Sequence, residues 1–266
     1  MLARLFRAGG DAAAARRYQR MADHLVPKEL LRSQAQRILA AAKEGWDEWE
    51  CRRATALLLE AGRAMRNAFP HSETLAVFEE AHRLASQTGV RAAQAEALYY
   101  QGVIHTEAGA YDPARQALAD ARAIFDEIGD RAGEAATLHG LATIDAQQDD
   151  YDAARAGFHR ALDIRQAIAD RAGEAATWHQ LGFLAAAQGR RAEGARLVAL
   201  CFLIDQSIGH GDAEKTFAAL VGLASELQYT QEQFAAMLRE VAEAYARERG
   251  QGLLRAAFPD GEPPPA

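Results

Sequence analysis

The sequence predicts an all-α fold, a right-handed solenoid of about five helical hairpins with capping helices at both ends. Three observations support this prediction. The segment DRAGEAAT occurs at residues 130–137 and again at residues 170–177. Apolar residues recur at helical spacing on both sides of short polar or glycine-containing turns. Hydrophobic residues make up 49% of the chain but aromatic residues only 8%, so small side chains dominate, which favours closely packed helices.

The repeat extends well beyond these identical residues. When the sequence is shifted by 40 residues, segment 91–130 aligns with 131–170, and 171–210 continues in the same frame. The match weakens upstream, from Cys51, and downstream, from Gly211, as is usual for terminal repeats. The predicted repeats span residues 51–90, 91–130, 131–170, 171–210 and 211–250.

The repeated segment itself is interpreted as the joint between two hairpins. Gly129 stands where one helix should end, and glycine adopts the left-handed conformation there at little cost. Asp130 and Asp170 are then predicted to cap the next helices, because their carboxylates can accept hydrogen bonds from free backbone N–H groups. Gly133 and Gly173 interrupt a helix, and close packing against the preceding helix is expected to compensate for this.

Both ends of the chain are predicted to cap the array. Residues 1–50 form an N-terminal helical capping region, with helices over 11–25 and 28–46. A last helix closes the other end, and residues 251–266 form a partly disordered tail. Several apolar residues near the C-terminus are expected to form an exposed patch that would favour self-association. These residues are Phe234, Leu238, Leu253, Leu254 and Phe258.

Charge and composition bear on partners and location. The formal net charge is −7, and an acidic surface repels phosphate backbones, so no nucleic-acid partner is expected. No stretch approaches the roughly 18 apolar residues of a membrane span, and Arg4 and Arg7 interrupt the apolar N-terminus, which argues against a secretory signal. The two cysteines, Cys51 and Cys201, suggest no disulfide framework. We expect a cytoplasmic protein without membrane contact, and the abundance of arginine and alanine favours a bacterial source.

Several residues resemble the motif of the tetratricopeptide repeat (TPR) family, W-x2-L-G-x2-Y followed by A-x3-F. Residues 178–182, WHQLG, match its first half. Tyr151, Ala154, Phe158 and Ala161 match the second half. The 40-residue unit is similar to the long repeats of some bacterial regulators and spindle-orientation adaptors. The resemblance covers roughly residues 51–250 and implies stacked hairpins whose first helices line a concave groove.

Transferred position by position, the resemblance places an apolar, aromatic-rich strip in this groove. Such a strip would bind an extended peptide or an amphipathic helix of a partner protein. Alternatively, parts of it pack between repeats or are covered by the chain's own termini. The predicted partner-binding residues are Tyr99, Tyr100, Val103, Glu107, His139, Thr143, Gln147, His179, Gln180 and Phe183.

The sequence argues against catalysis, and we expect no cofactor. It contains no G-x-S-x-G, no phosphate-binding glycine loop and no H-E-x-x-H. His139 and His179 are repeat equivalents on helices about 10 Å apart, whereas two ligands of one zinc ion each lie about 2 Å from it, so no metal site is expected. The chain's three lysines do not match the carboxylate-clamp positions by which some family members hold chaperone tails.

The sequence therefore predicts a non-enzymatic adaptor that binds a peptide or protein segment in the groove. Two alternatives stay open. One is a peptide-sensing regulatory receptor whose superhelix changes shape when ligand binds, although residues 1–50 show no convincing helix-turn-helix. The other is a structural protein that forms a homo-oligomer through its terminal helices.

Overall fold

The computed structural model describes residues 28–41 and 46–259, so the expectations for residues 1–27 and for the tail beyond Pro259 lie outside the described part. The described residues form twelve helices and no strand, and within each of two compact units most consecutive helices pack against one another as in a solenoid. This confirms the predicted all-α repeat fold. The helices are α1 (Lys28–Ala41), α2 (Glu48–Met65), α3 (His71–Thr88), α4 (Arg91–Glu107), α5 (Tyr111–Glu127), α6 (Arg131–Gln147), α7 (Tyr151–Ala167), α8 (Arg171–Ala187), α9 (Arg191–Ile208), α10 (Ala213–Glu226), α11 (Gln231–Glu248) and α12 (Gln251–Ala257).

The joints between hairpins have the local structure that the repeated segment predicts. Gly129 has a left-handed backbone with φ of 70°. Asp130 and Asp170 each accept a hydrogen bond at 3.0 Å from the backbone N–H three residues further on, which caps α6 and α8. A Cβ atom at Gly133 would collide with the ring of Phe125, near the end of α5, so the glycine allows close packing against the preceding helix.

Two compact units make up the described chain. The N-terminal unit ends at Ile124 and the C-terminal unit begins at Phe125, so the division falls within α5. The N-terminal unit has a core that includes the fully buried Met65 and Phe78. Its first helix, α1, is fixed to α3 because Arg32 donates to both carboxylate oxygens of Glu73, at 2.6 and 2.7 Å, which lowers the pKa of that carboxyl.

The C-terminal unit has its core around Trp178 and Phe158, both completely buried. Its last helices, α11 and α12, both pack against α9. The turn between them passes close to the core at Gly250, where an added Cβ would lie 2.8 Å from the Trp178 ring and 2.9 Å from Leu200. Glycine is therefore required sterically at this point, in addition to its φ of 85°.

The prediction of an exposed apolar patch near the C-terminus is wrong. Leu254 and Phe258 are each only 5% exposed, and Phe234, Leu238 and Leu253 pack partly buried against the same core. These residues close the C-terminal unit on itself, because α12 turns back onto α9 instead of extending away from the array. The predicted apolar surface for self-association is thus used inside the chain.

Candidate functional site

The predicted groove residues of the N-terminal unit lie on α4. Tyr99, Tyr100 and Val103 are partly buried. The Tyr100 ring stacks on Phe78, with centroids 4.9 Å apart, and meets the ring of Tyr99 edge-on at 5.1 Å. Burial is the main cause that raises the pKa of Tyr100. The two tyrosines therefore form an aromatic step anchored in the core of this unit.

Glu107 lies at the other end of α4, beside the loop between α2 and α3. Its carboxylate is 3.8 Å from Arg66 Nε and 3.8 Å from His71 Nε2. The same residues line an open cavity of about 430 Å³ at this loop. Glu107 thus contacts a hairpin loop, and its surroundings are more polar than those of the tyrosines.

The predicted groove residues of the C-terminal unit lie on α6 and α8. Three of them, His139, His179 and Gln180, line one pocket of about 330 Å³. Phe183 is 41% exposed, and its ring centroid is 4.7 Å from that of His179. Thr143 donates its hydroxyl hydrogen to the carbonyl of His139 at 2.9 Å. The structure thus brings the two histidines, the glutamine and the phenylalanine together.

Gln147 is the last residue of α6 and is exposed. It does not line the pocket with the other residues of its helix.

The other wall of this pocket was missed by sequence reasoning, which considered only the first helix of each repeat. It consists of residues from α9, from the α9–α10 turn and from the start of α10. These residues are Cys201, Asp205, His210, Asp212, Lys215 and Thr216. One signal could have revealed it, since Asp205 follows the apolar run from Leu197 to Ile204 and a carboxylate in such a run needs partners.

His139 is held neutral at the base of the pocket. Arg165 Nη1 lies 3.2 Å from His139 Nδ1, 2.8 Å from the Gly173 carbonyl oxygen and 2.5 Å from Thr177 Oγ1, and its two hydrogens are shared among these three acceptors. Because a guanidinium has only donors, Nδ1 of His139 must accept and the ring proton lies on Nε2. Burial, followed by the charge of Arg165, lowers the pKa of His139 to about 3.

Asp205 is the buried acid of the pocket, with only 3% of its surface exposed. Thr216 donates its hydroxyl hydrogen to Asp205 Oδ2 at 3.0 Å, and the Cys201 thiol lies 3.6 Å from the same oxygen. The other oxygen, Oδ1, is 3.4 Å from His210 Nδ1. Burial, aided by the charge of Asp205, raises the pKa of Cys201 to about 12, so its thiol stays protonated.

Two further groups set the charge at the pocket rim. Lys215 donates to Asp212 at 2.7 Å, and this hydrogen bond is the main cause that lowers the pKa of Asp212. Burial lowers the pKa of His179, and the charges of Asp205 and Asp212 oppose that shift. Apart from the histidines, the side chains that line the pocket carry two carboxylates, Asp205 and Asp212, and one ammonium group, that of Lys215.

The arrangement suits binding by hydrogen bonds and charge. Among the described residues, no group of three or more His, Cys, Asp or Glu side chains could hold a metal ion. In the same part of the chain, no helix is long and apolar enough to cross a membrane.

Fold and site together define a helical-repeat protein with a polar pocket and an exposed aromatic side chain on its first helices. Residues 133–197 match the tetratricopeptide repeat family model, so the repeats of this segment are tetratricopeptide repeats, as their sequence resemblance indicates. Repeats of this family generally mediate binding to protein partners.

One solved structure with this fold is the crystal structure of BtubC (BKLC) from P. vanneervenii. The TM-score is 0.55 at 18% sequence identity, over 87% of this chain and 95% of that chain. At this identity the similarity concerns the fold alone. No curated protein matches the sequence.

Proposed function

We propose that this protein is a non-enzymatic adaptor, and that the first helices of its repeats bind a segment of a partner protein. In the C-terminal unit, the binding surface comprises His139, His179, Gln180 and Phe183. In the N-terminal unit, the corresponding surface is the aromatic step of Tyr99 and Tyr100.

The observation that carries this proposal is the exposure of Phe183 beside the pocket. Its repeat equivalent, Thr143, is a small polar residue whose hydroxyl bonds to its own helix. Phe183 instead has 41% of its surface exposed, next to His179. Large aromatic residues beside a concave polar site are typical anchors of protein interfaces.

The surface is also preorganised, which favours binding. The helix that presents Phe183 is fixed from below by the fully buried Trp178 and Leu181. Gly182, on the same helix, is packed so closely against α9 that an added Cβ would lie 2.6 Å from Val198. Because the backbone is already fixed, little conformational freedom is lost on binding. The apolar contacts therefore convert more fully into affinity.

The ionisation of the buried groups agrees with binding without catalysis. Cys201, with its pKa raised to about 12, supplies no thiolate nucleophile at neutral pH. His139, with its pKa lowered to about 3, carries no second proton that it could donate as an acid.

Selection from a phage-displayed library of random dodecapeptides tests the proposal. Peptides selected by the wild type should bind the Phe183→Glu variant at least about tenfold more weakly, as for a central aromatic anchor. Ile168→Glu is the matched control, because Ile168 is 38% exposed and lies at the end of α7, away from the pocket lining. Circular dichroism establishes that the three proteins are equally helical.

Two outcomes contradict the proposal. One is equal affinity of the selected peptides for the wild type and for Phe183→Glu. The other is a wild type that enriches no peptide above an uncoated surface.

A further inference from the structure

Among the described residues of the C-terminal unit, two carboxylates are deeply buried, but their partners differ. Glu174 is fully buried, accepts a hydrogen bond from Arg171 at 2.6 Å and has Arg249 Nη2 at 3.7 Å. Asp205 is 3% exposed, and its partners are the Thr216 hydroxyl, the Cys201 thiol and the His210 imidazole. Within the described residues, no lysine or arginine forms an ion pair with Asp205.

A buried carboxylate without a cation is energetically costly, because neutral donors replace only part of its hydration. In Asp205 the two oxygens are unequal. Oδ2 accepts a hydrogen bond from Thr216 at 3.0 Å, whereas among the described residues the polar contact of Oδ1 is with His210 Nδ1, at 3.4 Å. Asp205 also lines the pocket of about 330 Å³, so a ligand there can reach its carboxylate.

The remaining charges of the pocket lining also favour a positively charged ligand. Asp212 adds a second carboxylate at the rim, and Lys215 neutralises one of the two. Gln180 contributes an amide oxygen that can accept a hydrogen bond. Apart from the histidines, the net charge of the lining is therefore negative, and the formal net charge of the whole chain, also without the histidines, is −7. An anionic ligand would have to approach two carboxylates.

We propose that this pocket binds the cationic side chain, arginine or lysine, of a peptide segment held on α6 and α8, with Asp205 Oδ1 accepting its N–H hydrogen. The inference rests on the proposed function, since it assigns the specificity of the same surface. The exposed Phe183 ring beside His179 then contacts the part of the peptide that adjoins the basic residue.

The direct test uses a small probe instead of a peptide. N-acetyl-arginine methylamide is titrated into the full chain, and the ring resonances of His139, His179 and His210 are followed by NMR after assignment with single His→Gln variants. We expect saturable shifts with a dissociation constant in about the millimolar range, as for one ion pair with few further contacts. N-acetyl-citrulline methylamide, a neutral isostere, should cause no saturable shift.

Two variants should change the affinity in opposite directions. Asp205→Asn keeps the shape and an oxygen acceptor for Thr216, and it should weaken arginine binding about tenfold through loss of a charge-assisted hydrogen bond. Lys215→Ala removes a side chain that is 82% exposed and frees Asp212, so it should strengthen arginine binding about threefold. Asp126→Asn, an exposed position on α5, should leave the affinity unchanged.

Equal responses to the arginine and citrulline probes would overturn the inference. It would also fail if Lys215→Ala weakened binding of the arginine probe, because the affinity would then not depend on the freed carboxylate of Asp212. Binding of N-acetyl-glutamate methylamide in place of the arginine probe would likewise contradict it, because that result describes an anion site. The adaptor function would survive either result, provided that Phe183→Glu still lost the selected peptides.

Discussion

The segments 130–137 and 170–177 have identical sequences and the same capped helix start, but their surroundings differ. In the first segment, Glu134 pairs with Arg131 and its side chain is 13% exposed. In the second, Glu174 is completely buried and receives hydrogen bonds from Gln166, Arg171 and Tyr245. Tyr245 belongs to α11, which lies about 70 residues further along the chain.

This difference separates what a repeat determines from what its position in the chain determines. The repeated residues suffice for the helix start, because the cap, the dipole and the glycine contact are local. Burial of the glutamate requires α11 and the α11–α12 turn, which cover only the second copy. The same glutamate thus pairs with one exposed arginine in the first repeat and is the centre of a buried network in the next.

The largest expected difference in stability between the two copies comes from removal of the glutamate. Glu174→Ala leaves the hydrogen bonds of Arg171, Gln166 and Tyr245 without their acceptor in a buried place, so we expect a loss of about 3–5 kcal/mol in the free energy of unfolding. Glu134→Ala should cost about 1 kcal/mol or less, because its partner Arg131 is 55% exposed. Urea unfolding monitored by circular dichroism measures both values.

Tyr245→Phe helps to locate the origin of this effect. It removes one donor to Glu174, at 2.8 Å, while keeping the ring, and should cost about 1 kcal/mol. Equal losses for Glu174→Ala and Glu134→Ala would contradict the view that the C-terminal helices distinguish the two copies.

A second prediction concerns the histidines that follow the two segments. His139 has its pKa lowered from 6.5 to about 3, so the unfolded chain binds a proton that the folded chain does not bind between these values. Stability is therefore fully present above about pH 6.5 and falls as the pH drops towards 3. We expect a loss of about 2–3 kcal/mol between pH 7 and pH 4.5 from this residue, measured by urea unfolding across that range.

His139→Gln should flatten this pH dependence, because glutamine does not titrate. His179→Gln is the comparison, since the carboxylates of Asp205 and Asp212 oppose the lowering of the His179 pKa. It should flatten the profile less. A profile unchanged by His139→Gln would mean that burial and the charge of Arg165 do not hold this ring neutral in solution.

Features set by residues close in sequence could be predicted, whereas features set by the position of a repeat in the chain could not. The N-cap role of Asp130 and the tight contact at Gly133 follow from residues close in sequence, and both are confirmed. The position of Phe258 against the core, and with it the loss of the expected apolar patch, depends on the course of α12. The spacing of apolar residues predicts that a helix forms, but it does not predict the direction in which α12 runs.

The candidate site was predicted in part for the same reason. His139, His179 and Gln180 lie at equivalent positions of two first helices, so a repeat-based transfer brings them together. Asp205 lies on a second helix, and its partner Thr216 comes from the next repeat, where the alignment is weak. A pocket formed by a regular and a divergent repeat cannot be obtained by transferring positions within the regular ones.

The third prediction concerns the glycine of the first copy. Gly133→Ala would place a methyl group against the buried ring of Phe125, and overpacking of this kind costs more than the alanine gains in helix propensity, so we expect a net loss of about 1–2 kcal/mol. Gly222→Ala in α10 is the control, because no atom lies within 4 Å of the added Cβ, and it should stabilise by up to about 1 kcal/mol. Thermal unfolding gives the sign of each change; a stabilising Gly133→Ala would mean that Phe125 moves freely.

The smallest expected effect comes from the residue that precedes each copy, where Gly129 in one joint is replaced by Ala169 in the next. Both have a left-handed backbone, with φ of 70° and 58°, and both are exposed. An alanine in this conformation is strained by the proximity of its Cβ to the backbone, so Ala169→Gly should stabilise the chain by about 0.5–1 kcal/mol. Gly129→Ala should destabilise it by a similar amount, since no neighbouring atom lies within 4 Å of the new Cβ and only the backbone strain acts.

Melting temperatures that shift in opposite directions would show that the two joints share one backbone geometry. Shifts in the same direction would mean that the C-terminal helices alter the joint at Ala169 as well as the environment of Glu174.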